Sequence, residues 1–398
     1  MERPKSLQFP PDFKFGVNLG SPHQVEGATP ATDYASIESR LNTQPSQKGW
    51  WTNPELFETD IALASQLGIR IVRFGTEWAR VNPEAGSVNH VALKRYGEMV
   101  RMAKDQGLSL MLTLHHFTLP SFIAEQGGWS NPKVVGQFVE YTKRVMGEVG
   151  DNADYVLTTN EPSVFLNNGY LKGIWPPFHK RSPKIIHAVR NLAKAHNTAK
   201  EIVKDVSPTT QVSATEAIRG FDPKDGIDRA ETALREFLFN TLFFRITNND
   251  FYGINYFRSY PLKLGAKLRR QTVSQAGNEF GIDPEVFSAP DNFEQTLNRF
   301  LKALPGKPVI ITENGLDDPE DKYRPYFMLA HLKVVSDAIK RGQPIKGYMP
   351  WTLADNYEWF QKLGEGQFGL VSADFDTLKR EPRESYRLYQ SICQQNGK

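Results

Sequence analysis

One cysteine, Cys393, is the chain's entire thiol complement, so no internal disulfide can form, and a reducing compartment suits the sequence. Its place near the C-terminus predicts a solvent-side or end-packed thiol rather than a nucleophile. Long apolar runs are missing as well. The longest, Leu108 to Leu114, falls far short of the roughly 20 residues that span a bilayer, so no transmembrane helix is expected. The opening Met1-Glu2-Arg3-Pro4-Lys5-Ser6 lacks the apolar stretch of a standard secretory signal, and a soluble, cytoplasmic protein is the expectation. Neither sign of charge dominates: 48 Lys and Arg against 45 Asp and Glu leave a formal net charge of +3, without the electrostatic footprint of a nucleic-acid binder. Among 398 residues no Pro/Gly/Ser-rich linker, low-complexity tract or charge block marks a boundary, and 39% hydrophobic with 23% charged residues excludes disordered and fibrous classes.

What the chain does contain is a repeated alternation. Short segments rich in β-branched and aromatic residues run from Phe13 to Leu19, Ile69 to Phe74, Leu108 to Leu114, Tyr155 to Thr159, Gln211 to Ala214, Phe251 to Asn255, Val309 to Thr312 and Ile345 to Pro350. Most are apolar almost throughout, as strands buried on both faces should be. Stretches with helical spacing separate them. Asn53-Pro54 reads as an N-cap and first-turn proline, Gly68 as the stop of the same helix, and Asn131-Pro132 repeats the start signal. After it Val135, Phe138, Val139, Thr142, Val145, Met146 and Val149 form an apolar stripe that needs a sheet to cover. Eight strand and helix pairs without a linker predict a single α/β domain over residues 1–398, a (β/α)8 TIM barrel. An open doubly wound sheet is disfavoured because Phe15-Gly16-Val17-Asn18-Leu19-Gly20 lacks the glycine spacing of a dinucleotide site. The segment from Leu262 to Asp291 reads as an elaborated loop on the top face, and its basic run Lys267-Leu268-Arg269-Arg270 as a solvated face.

In such a barrel the site is built at the C-terminal ends of the strands. Those ends carry Gln24 and Glu26, then Arg73 followed by Glu77-Trp78, then His115-His116-Phe117, then Thr158-Thr159-Asn160-Glu161-Pro162. The later strands end in Asn255-Tyr256-Phe257, in Thr312-Glu313-Asn314-Gly315, and in Trp351 with Asp355-Asn356-Tyr357-Glu358-Trp359 beyond it. Amides, carboxylates and indoles suit a carbohydrate: its hydroxyls take paired polar partners and its C–H face packs on aromatic rings. Glu161 and Glu313 end strands four and seven, across the barrel mouth from one another, where two carboxyls can flank a glycosidic bond. Glu26, Glu77 and Trp78 read as ion-pair and packing residues. His115 and His116 are no metal pair, since neighbours on a strand face opposite sides, and His115 reads as structural. No His/Cys/Asp cluster has ligand spacing, so neither metal nor cofactor is implied.

The chain resembles the family 1 glycoside hydrolases, the β-glucosidase and β-galactosidase family, over nearly its whole length. The resemblance rests on Phe9-Pro10 to Phe15-Gly16 with Gln24-Val25-Glu26-Gly27, on Thr158-Thr159-Asn160-Glu161-Pro162, on Ile311-Thr312-Glu313-Asn314-Gly315 and on the Trp351 to Trp359 run, all in family order. It implies Glu161 as general acid/base and Glu313 as nucleophile of a retaining double displacement, with Arg73 holding Glu313 ionised and Asn255 bridging toward Glu161. It further implies Gln24 and Glu358 on the hydroxyls at the far end of the sugar ring, His116 and Trp359 near the 3-hydroxyl, Asn160 on the 2-hydroxyl and Trp351 as stacking floor. The carboxylate of Glu358 would repel a phosphate, so a non-phosphorylated β-glycoside or oligosaccharide is the expected substrate. β-D-Glucosides lead; β-galactosides, fucosides and mannosides suit the same pocket.

Some positions depart from the family pattern. Phe257 stands where Tyr usually donates to the nucleophile, which predicts that another hydroxyl, Tyr260 or Tyr348, substitutes. Phe117 replaces a common Trp, His23 a Tyr, Val156 a Trp and Gln367 an Arg. The chain is short around Tyr34 to Trp50, which predicts a more open mouth. Two further functions share the reading: a transglycosylase on the same site, and a weakly active or inactive carbohydrate-binding homologue.

Overall fold

A computed structural model describes residues 7–28, 30–222, 226–257, 259–261 and 290–396. Eight parallel strands close into a barrel in which each strand pairs with its sequence neighbours and the last with the first. They are β1 (Lys14–Asn18), β2 (Ile71–Gly75), β3 (Ser109–Thr113), β4 (Tyr155–Asn160), β5 (Gln211–Ala217), β6 (Tyr252–Tyr256), β7 (Val309–Asn314) and β8 (Ile345–Pro350). Every expected strand is present, displaced by at most a few residues at its ends. The expected loop at Leu262 to Asp291, with its basic run, falls at 262–289 outside the described residues, and Pro290 already begins a helix.

One principal helix follows each strand: α1 (Pro54–Gln66), α2 (His90–Asp105), α3 (Lys133–Val149), α4 (Ile185–Val206), α5 (Gly226–Glu236), α6 (Pro290–Ala303), α7 (Arg324–Lys340) and α8 (Glu384–Asn396). α5 continues through a π-helical turn at Phe237–Thr241 into Leu242–Ile246. The stripe on α3 is buried as its spacing predicts, with Val139 half-buried at its margin and Tyr141 fully buried beside it. Asn131 Oδ1 accepts from the Lys133 amide at 3.0 Å and opens α3 as expected. Asn53 holds the N-cap position of α1, yet its amide turns back to Thr52 Oγ1 at 2.8 Å and caps nothing. Gly68, at φ +75°, takes the left-handed turn that stops α1. Cys393 is end-packed on α8, fully buried, and burial pushes its thiol well up. Among the described residues no helix is long and apolar enough to cross a membrane.

Two-residue alternation divides the strand side chains between two cores. Phe15, Val17, Val72, Phe74, Leu110, Leu112, Val212 and Ile254 face outward into the layer beneath the helices. Ile71, Met111, Leu157, Phe251, Ile310 and Met349 plug the barrel's interior at the bottom. Above that plug the inward positions turn polar, and the site begins there.

The regular register breaks in three strands, one of them β8, where it passes from Ile345 opposite Val309 to Gly347 opposite Ile310 and leaves Lys346 over. Between β4 and β5 the register passes from Leu157 opposite Ser213 to Asn160 opposite Thr215, so β4 carries one extra residue. Between β6 and β7 it passes from Ile254 opposite Ile311 to Asn255 opposite Glu313, so β7 carries one too. β4 and β7 are the strands whose ends carry Glu161 and Glu313.

Candidate active site

Arg73 organises the floor of the site. It is 1% exposed on the inward face of β2, above the apolar plug, and its guanidinium is spent on four partners. Nε donates to Thr113 Oγ1 at 3.1 Å, Nη1 to Glu313 Oε1 at 2.8 Å and to the Thr312 carbonyl at 3.2 Å, and Nη2 to Asn160 Oδ1 at 2.7 Å. A planar fork reaches three strands at once, which an ammonium could not do. The extra residue in β7 lets Thr312 and Glu313 both face inward: Glu313 meets Arg73, while Thr312 Oγ1 donates to Asn255 Oδ1 at 2.7 Å.

Glu161 sits across from this pair, just past the end of β4, at φ +44° and ψ +55°. Its carboxyl accepts from Asn255 Nδ2 at 2.8 Å. The Asn255 amide cannot turn, because Thr215 and Thr312 both donate to its oxygen, at 3.0 and 2.7 Å. Burial pushes both carboxyls above the usual range, Glu313 up to about 8 with the charge of Glu161 adding to the rise. Against that, Glu313 has a guanidinium in direct contact, while Glu161 has a neutral amide.

The remaining residues form one wall. Because Asn160 Oδ1 faces Arg73, its Nδ2 donates to His116 Nε2 at 3.0 Å, which places the imidazole proton on Nδ1. Burial first, then the charge of Arg73, keeps His116 neutral. The His116 ring lies over Trp359 at 5.9 Å, and on Trp359 also lies His23, parallel at 5.3 Å. Trp351, at the end of β8, donates its indole N–H to Glu358 Oε1 at 3.2 Å. Desolvation raises the Glu358 carboxyl although the residue keeps one exposed edge. Gln24 donates to the Tyr357 carbonyl at 2.6 Å and accepts from the Ser21 amide at 3.2 Å. All ten residues singled out in the sequence thus lie on the strand ends or the loops just beyond them, linked by bonds or ring contacts into neighbouring groups. Among the described residues no three His, Cys, Asp or Glu side chains gather as a metal cluster.

Several expectations resolve in detail. Glu26 accepts from Arg80 and Tyr96, both at 2.7 Å, and Glu77 accepts from Thr118 at 2.9 Å, so both are structural. His115 faces away from His116, bonds Thr159 at 3.2 Å, and is held neutral by burial with its pKa pushed down to about 3. Tyr348 does not replace the hydroxyl lost at Phe257. Its OH donates to Asn314 Oδ1 at 2.7 Å, because its place on β8 points it into the outer layer. The Tyr260 side chain lies outside the described residues. Phe257 is half-buried, edge-on to Phe368 at 6.0 Å. Nor does the short Tyr34 to Trp50 stretch leave a gap beside the wall: Tyr34 is fully buried, stacked on Phe360 at 5.2 Å and edge-on to Trp359 at 5.3 Å.

Sequence reasoning missed what supports this wall. His23 forms a buried ion pair with Glu38 at 2.9 Å, and Glu38 also accepts from Tyr357 OH at 2.9 Å. Burial lowers the imidazole's pKa and Glu38 more than restores it, leaving it raised. Glu216 was missed as well. It is 1% exposed on β5 and bonds Ser163, two residues past Glu161. No local motif marks either pair, since the partners are 15 and 53 residues apart.

A model of glycosyl hydrolase family 1 matches residues 5–276 and 246–398. A rice protein named beta-glucosidase-like SFR2, chloroplastic, is 31% identical over 370 residues, covering 86% of this chain and 55% of the rice protein. The galactolipid galactosyltransferase SFR2, chloroplastic, of Arabidopsis thaliana is 29% identical over 367 residues, 86% of this chain and 57% of that one. The chain thus spans a little over half the length of these two plant relatives. Among solved structures, a beta-glycosidase from Pyrococcus horikoshii superposes with a TM-score of 0.83 at 30% identity, covering 97% of this chain and 95% of its own.

Proposed function

The chain belongs to glycosyl hydrolase family 1, and from that membership we propose that it is a retaining β-glycosidase acting on non-phosphorylated β-D-glucosides. The observation that carries the proposal is the asymmetry of the two carboxyls, a guanidinium at 2.8 Å on Glu313 and an amide at 2.8 Å on Glu161. Glu313, ionised, attacks the anomeric carbon while Glu161 gives its proton to the departing oxygen. Forming the glycosyl-enzyme removes the charge on Glu313. With that charge gone Glu161 ionises more readily, and it takes a proton from the incoming water. Asn160, already aligned by Arg73, presents its amide to the 2-hydroxyl. His116 and Trp359 serve the 3-hydroxyl side, Gln24 and Glu358 the far end, and Trp351 the apolar face. A cytoplasmic location belongs to the same proposal.

The test is the rate on 4-nitrophenyl β-D-glucopyranoside for wild type, Glu161→Ala and Glu313→Ala, with azide added. Azide is expected to rescue Glu161→Ala to the β-glycosyl azide and Glu313→Ala to the α-anomer; swapped anomers would reverse the roles. The similarity to the Arabidopsis galactosyltransferase favours a second reading, transfer of the glycosyl group to a sugar hydroxyl instead of water. The ratio of transfer product to free sugar, measured against acceptor concentration, separates the two.

A further inference from the structure

Glu161 occupies the N-cap position of the helical turn Pro162–Leu166, yet its side chain makes no capping bond, being turned into the site. The Ser163 amide, in the first turn and without a helical partner, would be orphaned in a buried setting. It is not, because a neighbouring strand supplies the acceptor. Glu216 on β5 takes the Ser163 N–H at 3.2 Å to Oε1 and 3.3 Å to Oε2, and the Ser163 hydroxyl at 2.6 Å to Oε2. The residue before it, Thr215, accepts the Glu161 amide on its carbonyl at 2.8 Å. Two consecutive residues of one strand therefore grip the chain on both sides of the left-handed Glu161 backbone.

We propose that Glu216 is a positioning residue for Glu161: it caps the turn in place of Glu161 and so frees that carboxyl for proton transfer. The inference rests on Glu161 being the acid/base. A left-handed non-glycine backbone is held only where its surroundings over-determine it, and Glu216 is the side chain that closes the grip. Charge suits the arrangement. Burial pushes Glu216 up to about 8, with Ser163 lowering it, Glu161 raising it and Arg219 lowering it. Arg219, whose guanidinium lies over Phe239 at 4.9 Å, is the cation that acts on both glutamates.

The test compares kcat/KM on phenyl and 2,4-dinitrophenyl β-D-glucopyranoside, since only the poorer leaving group needs a well-placed acid. Glu161→Ala, the control, should lose about 10²- to 10⁴-fold on the phenyl glucoside and little on the dinitrophenyl. Glu216→Ala should show the same bias, losing about ten- to a hundredfold on phenyl through misplacement and less than about threefold on dinitrophenyl. Glu216→Gln keeps an acceptor for the Ser163 amide and should restore both. If Glu216→Ala does not fold, Ser163→Ala, which keeps the amide bond, carries the comparison with a smaller bias of the same sign. Equal losses on both substrates, or a Gln variant no better than Ala, would overturn the inference while a biased Glu161→Ala left the acid assignment standing. An unbiased Glu161→Ala would overturn both.

Discussion

Replacing Arg73 by Met puts the electrostatics of the site to its sharpest test. The substitution keeps length and removes every donor, so Glu313 loses a charge-assisted bond at 2.8 Å in a setting where it is 3% exposed. A bond to a charged group contributes about 1.5–3 kcal/mol, which at 1.36 kcal/mol per unit raises the Glu313 pKa by about 1–2 units. The nucleophile must be ionised, so the acidic limb of kcat/KM moves upward by that amount. Below the limb activity falls about ten- to a hundredfold, and above it the charge-dependent loss is recovered. Asn160 also loses the partner that aligns its amide, which adds a pH-independent loss. Arg73→Lys separates the two effects: it keeps the cation, so its limb should stay within about half a unit of wild type, but a point charge cannot serve Glu313, Asn160 and Thr113 together. Stability carries a matching signature. With the folded pKa of Glu313 pushed further above its unfolded value, the variant's deficit should be small near pH 4 and grow as pH rises. Rate profiles from pH 4 to 9 and melting curves at both ends decide the matter. A folded Arg73→Met whose acidic limb does not move would refute the claim that Arg73 keeps Glu313 ionised.

Two other perturbations follow from the wall. Glu358→Gln should raise KM for 4-nitrophenyl β-D-glucopyranoside about tenfold or more, a bond to a charged group being about 1.5–3 kcal/mol, and should raise the relative kcat/KM on the 6-phosphorylated glucoside; an unchanged ratio would place the carboxylate elsewhere. Glu38→Gln breaks the buried pair with His23, at a cost of about 3–5 kcal/mol. Because the folded His23 pKa is raised, that contribution is full below the unfolded value near 6.5 and fades as pH climbs through the folded one. Melting temperatures at pH 6 and pH 9 should therefore differ more between variant and wild type at pH 6, and an equal difference would mean an uncharged imidazole.

The barrel was legible because strands buried on both faces, such as Ile71 to Gly75 and Val309 to Asn314, are forced into apolar runs that helices do not imitate. The place of the candidate residues was legible because the fold puts strand ends at the barrel mouth, and Asn160-Glu161 and Thr312-Glu313 stand there. Side chains settled between distant segments were not. Asn53 has the right residue type for a cap and bonds Thr52 instead. Tyr348 has the right hydroxyl but the wrong side of β8. Glu216 answers to a partner past the end of the neighbouring strand, and His23 to one on the next short helix, so no single segment displays either pair. The extra residues in β4 and β7 escaped too, because register belongs to a pair of strands and no single segment displays it.

Those two irregularities set a condition on anyone who would move this chemistry to another scaffold. A regular strand offers the lumen every second position, so a designer who transplants only the glutamates gets one usable residue per strand end. Here β7 delivers Thr312 with Glu313 as an adjacent inward pair through its extra residue, and past the slipped β4 the left-handed backbone of Glu161 turns that residue inward beside Asn160. The unit to copy is the slipped strand with its neighbour. Deleting the surplus residue of β7, Thr312, would leave Glu313 opposite Asn255 and facing the lumen, and would remove the hydroxyl that fixes the Asn255 amide.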